Sequence, residues 1–287
     1  MITTTIYHQY FLIIESAHLF APHTITFEYN KLNTQKPVGL GDSFIFEKIL
    51  LLKKIFKIVV FAMLTLVSLL ILFCSAFYFT YNEELPTGKQ GIAADKLANK
   101  MMDALNYEAY KETNSLTWTF RGKHHYQWSK NQNRCSVQWD DFAVHLDLKN
   151  KSSSTVSVGG QPYSGEEKEQ LINKALAYFN NDSFWLVAPY KVLDVGVERR
   201  LVKQKDGSDA LLITYTSGGT TPGDSYLWHL DEQGFPTSFQ MWIQIIPVQG
   251  IFASWEQWIT TTSGAQLPRF HKLLFLDIIM GSVQGTK

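Results

Sequence analysis

The chain has 287 residues with 26 basic and 26 acidic side chains, so it carries no electrostatic footprint for nucleic acid. It has two cysteines; Cys74 lies in an apolar run and leaves Cys135 alone, which excludes a disulfide-stapled module. Aromatic residues make up 14% of the chain, with eight tryptophans, enough either to fill a thick core or to line an apolar cavity.

Residues 1–47 show no sustained period and hold Pro22, Pro37, Gly39 and Gly41. They read as a cytoplasmic extension, disordered or upstream of the true translation start. The GDSF at 41–44 has no strand ahead of it and is discounted as a hydrolase block. Residues 48–81 then form an anchor: Ile58 to Phe79 is about 22 residues without a charge, longer than the ~20 a helix needs to cross a bilayer. Lys48, Lys53, Lys54 and Lys57 precede the run, and Glu83 and Glu84 follow it. The positive-inside rule therefore puts the N-terminus in the cytoplasm and the rest outside it, as a single-pass protein of the cytoplasmic (inner) membrane. A cleaved signal is disfavoured by the run's length and its aromatic exit through Phe77, Tyr78, Phe79 and Tyr81. A lipoprotein signal is disfavoured by Phe73 ahead of Cys74. A buried helix of a soluble protein would show a polar face, and this run has none.

Residues 82–92, with Pro86, Gly88 and Gly91, read as a linker, and 93–287 as one extracytoplasmic domain. Ala94, Leu97, Ala98, Met101, Ala104 and Leu105 recur at helical spacing. From Leu116 the period becomes two, as in one continuous strand: Leu116, Trp118, Phe120, Gly122, His124, Tyr126 and Trp128 share one face. After a turn at 129–133, Cys135, Val137 and Trp139 share a face. The phase flips at Asp140-Asp141, and Phe142, Val144, Leu146 and Leu148 take over, as at a bulge or turn. A short strand follows at Thr155 to Val158. Ser164 and Glu167 predict a capping box for a second helix that ends at Asn180-Asn181. Segments near 198–205, 209–217, 224–231, 235–245, 251–262 and 266–278 read as an antiparallel meander with glycine, proline or aspartate at each joint. The expected fold is mainly β with helices: a strongly curved antiparallel sheet or incomplete barrel of nine to eleven strands, with the helices over its concave face.

In order and length the chain resembles the periplasmic lipoprotein carrier superfamily, the LolA/LolB-like fold. The likeness rests on the export segment, the helix at 93–106, the strand LTWTFRG (116–122), the helical insert at 165–187 and the long meander. HHYQW (124–128), NDSFWLVAPYKV (181–192) and TPGDSYLW (221–228) also resemble blocks of membrane-anchored proteins of Bacteroidetes-type bacteria. The resemblance implies an apolar half-barrel cavity that holds acyl chains beneath a helical lid. A tethered domain cannot shuttle across the periplasm, so only the cavity carries over.

Trp118, Phe120, Tyr126, Trp128, Trp139, Tyr226, Trp228 and Met241 are the candidate cavity residues. Trp242 is off the pattern, either packed at an edge or touching the membrane surface. His124, His125, His145, Asp140, Asp141 and Asp147 invite a metal reading. Neighbours on a strand point to opposite faces, so His124 and His125 cannot chelate one ion. With the turn centred near 131, His125 faces Val137, His124 faces Gln138, and His145 lies on the order of 23 Å away. No metal and no cofactor are expected. GDSY at 223–226 resembles a GDS-type esterase block, but it opens a meander strand, so Ser225 is a weak nucleophile candidate. SGGTTPG (217–223) lacks a following helix for phosphate. The leading expectation is a membrane-anchored, non-enzymatic protein that holds a lipid or acyl group. The alternative is an envelope structural or interaction protein with a filled core, and an esterase comes last.

Overall fold

The computed structural model describes residues 40–217 and 222–287, with side chains from Ile45 onward. The extension expected over 1–47 lies, up to residue 39, outside the described residues. Helix α1 spans Leu40–Tyr81, so the helix over the expected anchor starts well before its lysines. Its stretch Ile45–Tyr81 contains an 18-residue window of mean hydropathy 2.8 and is long and apolar enough to cross a membrane. Rings at i,i+4 spacing line its end, with Phe77 and Tyr81 centroids 4.7 Å apart. The chain divides into two compact units between Val67 and Ser68.

Within Ser68–Lys287, α2 (Ile92–Ala104) and the short α3 (Tyr107–Glu112) come first. The strands β1 (Ser115–Phe120), β2 (His124–Ser129), β3 (Arg134–Trp139), β4 (Phe142–Asp147), β5 (Thr155–Val158) and β6 (Gln161–Tyr163) follow. Helix α4 (Lys168–Val187) separates them from β7 (Val197–Lys203), β8 (Asp209–Tyr215), β9 (Ser225–Leu230), β10 (Pro236–Trp242) and β11 (Ile251–Ser254). The chain ends with β12 (Ile259–Thr260), β13 (Gln266–Leu267), β14 (Phe270–Leu273) and β15 (Leu276–Thr286).

All ladders are antiparallel. Thirteen strands form one sheet in the order β6-β5-β4-β3-β2-β1-β15-β14-β11-β10-β9-β8-β7, and β12 and β13 form a separate two-stranded sheet. The expected incomplete barrel of nine to eleven strands is therefore corrected: the sheet is open, neither curled nor closed, and has more strands. Its two edges explain why it does not close. β6 has three residues, and Pro162 within it offers no N–H to a further strand. β7 is engaged on its outer side by Lys89, whose backbone pairs with Leu201.

The two meanders are joined by β15, which pairs with β1 on one side and β14 on the other. A Cβ at Gly281 would lie 2.5 Å from Oγ1 of Thr119, so a side chain there would require the Thr119 hydroxyl to turn aside at the bulge. The expected segments 251–262 and 266–278 are replaced here by shorter strands and by β15, which runs on to Thr286, because Gly281 and Gly285 interrupt the alternation of Ile278, Met280 and Val283.

Helix α4 also departs from expectation. No side-chain cap bond is made at its start, and it runs through Asn180-Asn181 to Val187. Packing overrides the polar pair: Phe184 lies 4.7 Å from Tyr226 and Trp185 lies 5.7 Å from Phe239, ring to ring. Between α3 and the chain after α4, Tyr110 and Tyr190 stack at 3.9 Å, with Lys130 Nζ 3.6 Å from the Tyr110 ring centroid.

The segment after α1 is fastened to the sheet. The Glu83 amide donates to the Gln249 carbonyl at 2.9 Å, and the Lys89 amide to that of Leu201 at 2.9 Å. Beneath it, on the sheet face away from α4, lies a small second core of Val202, Ala210, Leu212, Leu227 and Trp242. Trp242 is thus a packed residue, and its Nε1 donates to the Glu83 carbonyl at 2.9 Å.

Candidate functional site

The eight cavity candidates fall into two groups on the α4 side of the sheet, and helix rings occupy the space between. Trp118 stacks on Tyr126 at 4.4 Å, and Phe179 of α4 enters 5.1 Å from Trp128. Trp139 lies 5.5 Å from Tyr178 of the same helix, and Phe120 packs 6.3 Å from His124. In the second group Tyr226 meets Phe184, while Trp228 contacts Phe239 at 5.3 Å and Trp255 at 5.4 Å. Met241 is buried in the same cluster. Trp118 and Trp228 are 1% and 0% exposed. No half-barrel pocket is present among the described residues, so the lipid-binding cavity and the carrier-like fold implied by the resemblance are corrected. The reason is length: α4 carries Tyr178, Phe179, Phe184 and Trp185 into the space an acyl chain would take.

One polar cluster is built into this core. Asp182 of α4 is 1% exposed, and its Oδ2 accepts from the Tyr126 hydroxyl at 2.6 Å and from His124 Nδ1 at 2.7 Å. The Asn181 side-chain amide donates to Oδ1 at 2.8 Å. A buried carboxyl group is tolerated only with such partners. Burial first, and then the neighbouring Asp182 charge, hold the Tyr126 phenol protonated far above its ordinary range. The His124 ring stacks on Tyr178 at 4.0 Å and is partly open to solvent. A histidine oriented by a carboxyl group is half of a general-base arrangement. Sequence reading passed over Asp182; the available signal was a lone acid on the apolar side of NDSFW.

The remaining candidates are spread apart. Among the described residues no three His, Cys, Asp or Glu side chains form a metal-holding group. The register is one residue off the expected one: His125 pairs with Gln138 and Tyr126 with Val137, because Ser129 pairs with Arg134 across the turn. His145 pairs with Ser136, so it lies two strands and two positions from His125, roughly 12 Å at ordinary sheet spacings. Asp140 and Asp141 make the tight turn joining β3 to β4, and Asp147 accepts from the backbone of Lys149 and Asn150. Ser225 is buried in the β8–β9 ladder, its hydroxyl 2.8 Å from that of Thr214. Part of SGGTTPG, residues 218–221, lies outside the described residues.

The face away from α4 is divided. Its β7–β10 part is covered by the segment after α1. Its β1–β5 part carries cross-strand rows made mostly of Thr, Gln, Ser and His side chains. One row runs Thr117, Gln127, Ser136, His145 and Thr155; the next runs Thr119, His125, Gln138, Ala143 and Ser157. Gln127, Gln138, His125, His145 and Thr155 are exposed. A shallow concavity of about 430 Å³ lies over the first row, bounded by Arg134, Asp147 and Ser153.

No family model matches the chain, and no curated protein matches it. A solved structure of a DUF1329 family protein from Desulfovibrio piger aligns with 67% of this chain and 92% of its own, at 7% identity and a TM-score of 0.34. At those values the likeness assigns neither a fold family nor an activity.

Proposed function

We propose that the chain is a single-pass membrane protein whose extracytoplasmic domain is an interaction module of the cell envelope, recognising a partner without turning over a substrate. One observation carries this reading: the α4 side of the sheet is filled by side chains, while the β1–β5 part of the opposite face is open and polar. Rows of Thr, Gln, Ser and His give paired donors and acceptors with little side-chain desolvation cost beyond hydrogen bonding. The lysines before Ile58 and the acids after Tyr81 support the orientation.

A photo-crosslinking amino acid at Gln127, Gln138 or His145, in native membranes, tests the reading. A discrete adduct with one envelope protein is expected, with none from the same probe at Asp206. Failure to obtain any adduct from the three positions rejects it. Protease added from outside is expected to digest the C-terminal portion and leave the N-terminal side protected.

A further inference from the structure

The two ends of the strands differ in chemistry, and the difference follows the exit of the chain from α1. At one end the connections 130–133, 204–208 and 231–235 are built mainly from polar residues, among them Lys130, Asp206, Glu232 and Gln233. The other end carries the β10–β11 connection 243–250, the β14–β15 turn and the approach to β7. Their tips are apolar and bare: Ile245 is 67% exposed, Phe275 79% and Val195 100%.

The register puts these tips at one end. Trp242 pairs with Ser225 and Met241 with Ile251, so the 243–250 loop closes that end of β10 and β11. Ala253 pairs with Leu273, which brings Phe275 level with Ile251. Val197 pairs with Tyr215 and Thr214 with Ser225, which puts Val195 beyond the same end of β7. The turns at 121–123 and 140–141, under the other half of the sheet, are polar, with Arg121, Lys123, Asp140 and Asp141.

This is also the end at which α1 delivers the chain. The Gln249 amide donates to Asn82 Oδ1 at 2.9 Å, in addition to the bonds that tie Glu83 to Gln249 and Trp242. Asn82 directly follows Tyr81, the last residue of the helix. The tips are held out and not left loose. The Gln249 side chain bonds the carbonyls of Ile243 at 3.1 Å and Ile246 at 2.7 Å, and Leu274 adopts φ 54° to turn the chain ahead of Phe275.

We infer that Ile245, Phe275 and Val195 form a second membrane contact, seated in the interfacial layer of the bilayer that α1 enters. The inference rests on the anchored reading above and specifies the surface through which the domain meets the lipid. Separate apolar tips suit a bilayer interface, which accepts them without shape complementarity, whereas a protein partner requires a packed patch. The aromatic exit of α1 at Tyr78, Phe79 and Tyr81 belongs to the same layer.

The test uses the full chain with Cys74→Ala, reconstituted in phosphatidylcholine–phosphatidylglycerol vesicles. A polarity-sensitive fluorophore is attached at Phe79→Cys, Ile245→Cys, Phe275→Cys or Asp206→Cys, and nitroxide-bearing lipids serve as quencher. The expected result is a blue shift and loss of emission for the labels at 245 and 275 approaching those of the label at 79, with none at 206. Quenching at 79 without quenching at 245 and 275 overturns the inference and leaves the anchor standing. No quenching at 79 overturns the anchor itself, and the inference with it. Crosslinking between two copies through the 275 position, without lipid quenching, makes these tips a dimer contact and also overturns it.

Discussion

The hydroxyl of Tyr126 donates to Oδ2 of Asp182 at 2.6 Å, joining β2 to α4 through a carboxyl group that water does not reach. His124, two residues earlier on the same strand, donates to the same oxygen. The bond fixes the rotation of α4 over the first meander, since the helix must present Asp182 to that pair while Phe179 enters beside Trp128.

Tyr126→Phe removes one donor and leaves Asp182 with His124 and Asn181, so a loss of about 1–2 kcal/mol is expected. Asp182→Ala strands a buried phenol as well and should cost more, about 2–4 kcal/mol. Urea denaturation of the two variants and of the double variant checks this. A double variant close to the Asp182→Ala value marks the two residues as one unit.

His271 makes stability depend on pH. It is fully buried between Trp185 and Trp255, with Nδ1 on the Ser254 carbonyl at 2.9 Å. Burial pushes its pKa down to about 4. An unfolded histidine titrates near 6.5, so below that pH the unfolded chain takes up a proton that the folded one resists. The contribution is whole above about pH 6.5 and is lost as pH falls toward 4, by about 3 kcal/mol in all. His271→Gln should flatten the wild-type curve in that window when urea midpoints are compared from pH 7 to 4.

Trp242→Ala should release the segment after α1. It removes a buried indole and the bond to Glu83, with an expected loss of about 3–5 kcal/mol. Gly88→Val acts at the other end of that segment, where a Cβ would lie 2.8 Å from Cβ of Arg200. In both variants trypsin should cut at Lys89 much faster than in the wild type. Equal cutting rates would show that the segment is already loose.

A filled core makes three further expectations. The domain should appear at its unliganded mass in native mass spectrometry and should give no blue shift with a fluorescent fatty acid. Trp228→Ala should cost about 3–5 kcal/mol, because close-packed neighbours such as Phe239 and Trp255 cannot collapse into the space.

Much of the first meander was legible. The alternation from Leu116 to Trp139 gives the buried face correctly, because each strand has one face in the core. The expected single strand over 116–128 is two: the chain turns at 121–123, and Phe120 pairs with His124, so the period of two carries on unbroken through the turn. The Asp140-Asp141 phase change is a turn, as the sequence allowed. The C-terminal strand was not legible, since Gly281 and Gly285 interrupt the alternation of Ile278, Met280 and Val283. The end of α4 was misplaced because Asn180 and Asn181 read locally as a stop, while Phe184 and Trp185 find their partners more than forty residues away along the chain. The role of Asp182 required Tyr126 and His124 to be brought to it.

By itself the sequence determined that one apolar helix is long enough to cross a bilayer, and which residues of the first strands turn inward. Both depend on local spacing, which a chain carries wherever it folds. Only the tertiary structure decided that the inward rings leave no cavity, that the sheet stays open, and that the segment after α1 is bound to it. Those depend on volumes and hydrogen-bond partners supplied from distant parts of the chain, and no local pattern encodes them.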